Sequence, residues 1–158
     1  MWNQYYIAGN LTDALDLLEK KPKSSRVIAG STDLILEIKR GLHPEIDTLI
    51  DISRIPEMNV IYVDDNGAIH IGALATHNDI AISPVIRANA LCLAEASWQV
   101  GSPQIRNRGT IAGNIITASP ANDTIPALIS LDASALLISN NGERSIKIEE
   151  LLTGVRKT

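Results

Sequence analysis

Two short segments carry residue types able to hold a charged ligand. The first is Ile28-Ala29-Gly30-Ser31-Thr32-Asp33-Leu34, which follows an apolar run and opens a helical pattern. A strand-to-helix turn presents free backbone N–H groups at the positive end of a helix dipole. Gly30 allows close backbone approach, and Ser31 and Thr32 add hydroxyl donors. The chemistry on offer is an anion or phosphate cradle. The alternative is an ordinary turn with Ser, Thr or Asp capping the next helix. The segment is neither GxGxxG nor Walker A, so neither mechanism transfers. The second is Gly109-Thr110-Ile111-Ala112-Gly113-Asn114, running on through Ala118-Ser119-Pro120 to Asp123. Thr110 and Asn114 offer side-chain hydrogen bonds, and Asp123 can accept from a ribose diol. Alternatively, Gly109 and Gly113 are kinks in a polar loop and Asp123 caps a helix. Between two such turns, a diphosphate bearing a nucleoside can be held by N–H groups without a lysine.

The remaining polar residues point less sharply. His77 either faces a ligand or starts a helix. His43 and His70 read as surface positions, and Cys92, between Leu91 and Leu93, as a small buried apolar residue. Arg106 and Arg108 bind phosphate, contact a partner or stay solvated; their spacing leaves all three open. Glu149-Glu150 reads as a helix start. No Ser-His-Asp arrangement, metal-ligand spacing or isolated carboxylate pair asks for acid–base chemistry, so no catalytic residue and no metal site are expected.

The elements that must position these segments alternate between strand and helix. Asn10 caps a helix whose apolar face is Leu11, Ala14, Leu15 and Leu18. Residues 26–29 and 48–52 read as strands, with a helix over 34–40 stopped by Gly41. Strand–turn–helix–strand order favours a small parallel sheet. Asp64-Asp65-Asn66-Gly67 and Asn140-Asn141-Gly142 each mark a hairpin. Helical patterns cover 84–95 and 124–131. A boundary near Pro56 divides the chain into lobes 1–55 and 56–158.

The 158 residues carry a net charge of -4, 45% apolar residues and one cysteine. That apolar share supports a folded core. A single cysteine excludes a disulfide framework or an iron–sulfur cluster held by this chain alone. An acidic chain with 3% aromatic residues is not a nucleic-acid surface. No apolar run approaches the roughly 20 residues of a membrane span, and no signal peptide is visible, so the expected location is the cytoplasm.

Taken in order, these segments resemble the FAD-binding medium subunit or domain of the molybdenum hydroxylases, the xanthine dehydrogenase and carbon monoxide dehydrogenase group. Ala29-Gly30-Ser31-Thr32-Asp33-Leu34 resembles the family's A-G-G-T-D-L loop, and Thr110-Ile111-Ala112-Gly113-Asn114 its T-I-G-G-N loop. Leu49-Ile50-Asp51-Ile52-Ser53, Ile71-Gly72-Ala73-Leu74-Ala75-Thr76-His77 and Val100-Gly101-Ser102-Pro103-Gln104-Ile105-Arg106-Asn107 are similar to further family segments. The resemblance implies a mixed α/β (α+β) fold of the FAD-binding PCMH type. It has a small parallel sheet with helices, then a mainly antiparallel sheet with helices, and FAD extended between them. It puts the diphosphate between residues 28–34 and 110–114, Asp123 near ribitol or ribose hydroxyls, and Leu74, Ala75, Thr76 and Val100 along the flavin.

The implied task is electron transfer within a complex. A molybdopterin-containing large subunit oxidises the substrate, a [2Fe-2S] small subunit relays electrons to FAD, and NAD+ or another acceptor receives them. The chain would not be active alone. Ser31 and Ala112 stand where the family often has glycine; binding survives if neither needs a positive φ. The family's C-terminal domain is expected to be missing after Thr158. Two other readings stay open: a module that only docks partner subunits, and a stand-alone flavoenzyme of the wider superfamily.

Overall fold

The computed structural model describes residues 2–158. Three parallel strands form the first sheet, β1 (Gln4–Ile7), β2 (Ser25–Ile28) and β3 (Thr48–Asp51), in the order β1-β3-β2. The last strand in sequence is central, and its Leu49 and Ile50 are completely buried. Helix α1 (Leu11–Lys20) connects β1 to β2, and α2 (Leu34–Lys39) connects β2 to β3. Asn10 caps α1 as expected, accepting from the Asp13 N–H at 2.9 Å. The chain leaves α2 through Gly41 at φ +77°, which glycine adopts without strain.

Two apolar clusters flank this sheet. Ile38 of α2 packs with Ile28, Ile46 and Leu49; Ala14 of α1 packs with Ile50, Ile55 and Leu74. The second cluster therefore reaches into the later part of the chain, because Leu74 lies beyond the first sheet.

Antiparallel pairing follows in two separate hairpins. β4 (Ile61–Val63) pairs with β5 (Ile69–Ile71), and β6 (Ser134–Ser139) with β7 (Gly142–Lys147). Between them run α3 (His77–Ile82), α4 (Pro84–Asn89), α5 (Leu91–Gln99), α6 (Pro103–Arg106), α7 (Ile111–Thr117) and α8 (Thr124–Ser130). The short α9 (Ile148–Leu151) follows β7 and carries Glu149 and Glu150 in its first turn. Ile80, Ile86, Leu93, Ile111, Leu128 and Ile148 form the main core here. Burying each such side chain stabilises the fold by about 1.5–3 kcal/mol.

Two expectations are corrected. The helical pattern over 84–95 is two helices, broken at Ala90, whose φ of -144° and ψ of 52° are not helical. The break lets Ala90 itself enter the core at 5% exposure. Cys92 is exposed, because α5 turns Leu93, Ala94 and Ser97 inward and leaves Cys92 on the outer side. Among the described residues, no helix is long and apolar enough to cross a membrane.

Candidate functional site

The loop after β2 is half-buried and rich in unsatisfied donors. Among the described residues, no protein oxygen accepts from the backbone N–H groups of Gly30, Ser31, Thr32, Asp33 or Leu34. A half-buried backbone N–H without a partner is costly, so a run of them points to a ligand or water. The side chain of Asp33 does not cap α2, and the Ser31 hydroxyl donates to the Ala29 carbonyl at 3.3 Å. Capping therefore does not account for this turn.

The conformation needs a left-handed residue, and it falls on Ser31, at φ +60°. The condition attached to the family's glycine is thus not met at this position, and a non-glycine residue there costs about 1–2 kcal/mol. Ala112 is unaffected, since it lies within α7 with no positive φ.

Gly30 has a different reason for being glycine from the one its motif suggests. A Cβ on Gly30 would lie 2.7 Å from the Arg108 carbonyl carbon, nearer still to its oxygen, and 3.1 Å from the Gly109 Cα. The close approach is made by this chain's own backbone. It fastens the first loop to the strand of chain entering the second.

The second loop is largely self-satisfied. Thr110 caps α7 by accepting from the Gly113 N–H at 3.1 Å, and the Asn114 N–H donates to the Thr110 carbonyl at 3.0 Å. The Ile111 N–H donates to the Ala75 carbonyl at 3.0 Å, and the His77 N–H to the Gly109 carbonyl at 3.0 Å. These two bonds draw residues 74–77 alongside 109–111. Thr110 and Ala112 keep the free N–H groups of this turn among the described residues. Gly113 is exposed, and a Cβ there would meet just the Thr110 hydroxyl, at 3.1 Å. The space beyond Gly113 is open.

Other expected site residues are placed as follows. Leu74 and Ala75 are buried at 6% and 0%, so their side chains belong to the core and their backbone faces the loop. The Thr76 hydroxyl is engaged in a capping box with Asp79, donating at 2.6 Å and accepting at 3.1 Å. Asp123 is exposed and does not cap α8. Its loop is tied down on both sides, by Asn122 Nδ2 on the Asn114 carbonyl and by the Thr124 hydroxyl on Asn114 Oδ1, each at 2.6 Å. Asn114 thus positions Asp123. Val100 is held by Arg106, whose Nη1 donates to the Val100 and Gly101 carbonyls at 3.2 Å; no hydrogen bond joins Val100 to either loop among the described residues.

Arg106 itself has a structural part that its sequence left open. It is 8% exposed, with its guanidinium 4.7 Å over the Trp98 ring. Arg108 is exposed at the junction of the two loops. Nearby, Tyr5 donates to the Asp51 carboxylate at the end of β3. Burial pushes that carboxyl up, but bonds from Tyr5 and Ser53 and the charge of Arg54 outweigh it and hold Asp51 below the usual range. His77 is 2% exposed with no partner for Nδ1, and burial pushes its pKa down, so it is a neutral residue beneath Gly109. An open groove of about 640 Å³ lies elsewhere, lined by Ile82, Arg87, Trp98 and Gln99. It lacks the array of backbone donors, so the loops remain the candidate site.

A family model described as the FAD binding domain in molybdopterin dehydrogenase matches residues 2–158. The chain belongs to this family. The nicotinate dehydrogenase FAD-subunit of Eubacterium barkeri is 42% identical over 153 residues, covering 96% of this chain and 51% of that protein. The carbon monoxide dehydrogenase medium chain of Hydrogenophaga pseudoflava is 34% identical over 156 residues, covering 98% and 53%. A solved structure of that organism's carbon monoxide dehydrogenase, lacking the Mo-pyranopterin moiety of its molybdenum cofactor, matches with TM-score 0.94 at 32% identity. It covers all of this chain and 54% of the other. The chain spans about half the length of the curated relatives it matches. FAD is the cofactor of this domain family. The donor set fits it: five consecutive N–H groups suit a diphosphate, as a neutral backbone nest does.

Proposed function

We propose that this chain is the FAD-holding part of the medium subunit of a molybdopterin-dependent hydroxylase or dehydrogenase. Residues 1–55 and 56–158 act as its two FAD-binding lobes. The observation that carries the reading is the run of unpartnered N–H groups from Gly30 to Leu34, fastened against the start of the second loop.

In this reading the N–H groups of residues 30–34 bind the diphosphate, joined by that of Ala112. Ile28 ends the strand that carries the first loop, and Ala29 begins that loop. Thr110, Ile111, Gly113 and Asn114 shape the second loop and leave its outer face open. Residues 74–76 and Val100 line the approach to the flavin, and Asp123 accepts from a sugar or ribitol hydroxyl. Bound FAD supplies one- and two-electron redox chemistry, while the protein contributes binding, orientation and electrostatics. Electrons arrive from a [2Fe-2S] subunit served by a molybdopterin-containing subunit, and leave to NAD+ or another acceptor. The relatives' names, a nicotinate dehydrogenase FAD-subunit and a carbon monoxide dehydrogenase medium chain, support this place in a complex.

The test is a titration of the purified chain with FAD, following flavin fluorescence, with FMN as the control. Saturable quenching by FAD and much weaker binding of FMN is expected, because FMN lacks the diphosphate. Equal affinity for the two would overturn the assignment of the diphosphate to these loops.

A further inference from the structure

We propose that Arg156 is a positioning residue, a strut that fixes the orientation of the two loops by linking α2 to the end of α7. The proposal rests on the assignment of FAD to those loops. Gly30 against Arg108 and Gly109 is one point of attachment. The Leu74 cluster, on which Ala29 packs, also joins the first sheet to the later chain, but neither contact includes a residue of α2.

Arg156 supplies the attachment that does include α2. Its backbone N–H donates to the carbonyl of Ala118 at 2.9 Å. Ala118 is the left-handed residue that closes α7. The Arg156 guanidinium Nη1 donates to Glu37 Oε1, in α2, at 3.0 Å. Among the described residues, no other hydrogen bond joins α2 to any residue beyond 55.

Both ends of the strut are braced. Arg156 sits at φ +55° in a tight turn, where the Thr153 N–H donates to the Lys157 carbonyl and the Lys157 N–H to the Gly154 carbonyl, each at 3.1 Å. A non-glycine residue held left-handed persists because its surroundings determine it. Glu37 is also held by His43 Nε2 at 3.1 Å. The loops lie at the N-terminal ends of α2 and α7. With the strut and the Gly30 attachment both in place, the donors of residues 30–34 keep a fixed direction relative to the Ala112 N–H. An exposed ion pair is individually weak, so its loss raises the Kd for FAD about two- to fivefold.

The experiment measures the orientation without FAD. In a Cys92→Ser background, nitroxide labels go on Leu36→Cys in α2 and Ile116→Cys in α7, both well exposed. Pulsed EPR then gives the distance distribution. A narrow distribution is expected for the parent, broadened by Arg156→Ala and by Glu37→Ala, and narrowed again by Arg156→Lys. An Arg156→Ala distribution identical to the parent's overturns the strut. The same variants are titrated with FAD. Failure of the parent to bind FAD would refute the cofactor assignment, while the distances still decide the strut.

Discussion

Replacing Gly30 by alanine separates two explanations of the same glycine. If Gly30 keeps room for a ligand, a methyl group there weakens FAD binding and leaves the apoprotein alone. The structure assigns the room to the backbone of Arg108 and Gly109 instead. The added Cβ lies 2.7 Å from the Arg108 carbonyl carbon, where ordinary contact begins at 3.4 Å, so that backbone must retreat by about 0.7 Å or more. Backbone cannot swing aside as a side chain does. Overpacking of this kind costs about 1–3 kcal/mol. At about 2–4 °C per kcal/mol for a domain of this size, the FAD-free melting temperature falls by about 2–12 °C. The Kd for FAD should rise at least about tenfold, because the retreat also parts the two loops. Gly113→Ala is the matched control. Its Cβ meets just the Thr110 hydroxyl and otherwise enters open space, so the FAD-free melting temperature stays near the parent's while FAD binding weakens. Differential scanning fluorimetry and flavin fluorescence read both. A Gly30→Ala protein with the parent's melting temperature would refute this reasoning.

Ser31→Gly should stabilise the chain by about 0.5–1 kcal/mol, seen as a higher melting temperature with FAD binding retained, because glycine relieves the left-handed strain at φ +60°. Arg106→Ala should destabilise by about 2–3 kcal/mol and shift Trp98 emission to longer wavelength, since it strips the ring of its cation and two carbonyls of their donor. Stability should also fall with acid at His77. Burial holds its pKa below the unfolded value of about 6.5, so its contribution is complete above that pH and is lost as pH falls through the folded value. His77→Leu should flatten the fall of the melting temperature below about pH 6.5; an unchanged slope would remove His77 from the explanation.

Much of the fold was legible because it was written locally. Asn10 caps its own helix, Gly41 ends the next, and the Asp-Asp-Asn-Gly and Asn-Asn-Gly turns fix two hairpins within a few residues. β1 was not legible: Gln4-Tyr5-Tyr6-Ile7 is exposed at every position, and it is a strand because of pairing with β3, more than forty residues away. The break at Ala90 is likewise tertiary, set by the core that alanine enters. The two loops were visible as motifs, but their division of labour was not. Sequence suggests a diphosphate held between the two loops by N–H groups; the structure leaves the N–H groups of residues 30–34 free on the first and satisfies most of the second through Thr110 and Ala75. The reason for Gly30 lies in Arg108, and the partner of Glu37 lies in Arg156, separations at which spacing carries no information. Arg106 looked like its neighbour Arg108, and burial alone distinguishes them.

The central claim is that the N–H groups of residues 30–34 hold the diphosphate of FAD. Amide NMR of the labelled protein tests it most directly, comparing FAD-free and FAD-loaded spectra. The account predicts large shifts and slowed hydrogen exchange at Gly30, Ser31, Thr32, Asp33 and Leu34, with Ala112 joining them. Saturable FAD binding that leaves those amides unshifted would contradict it.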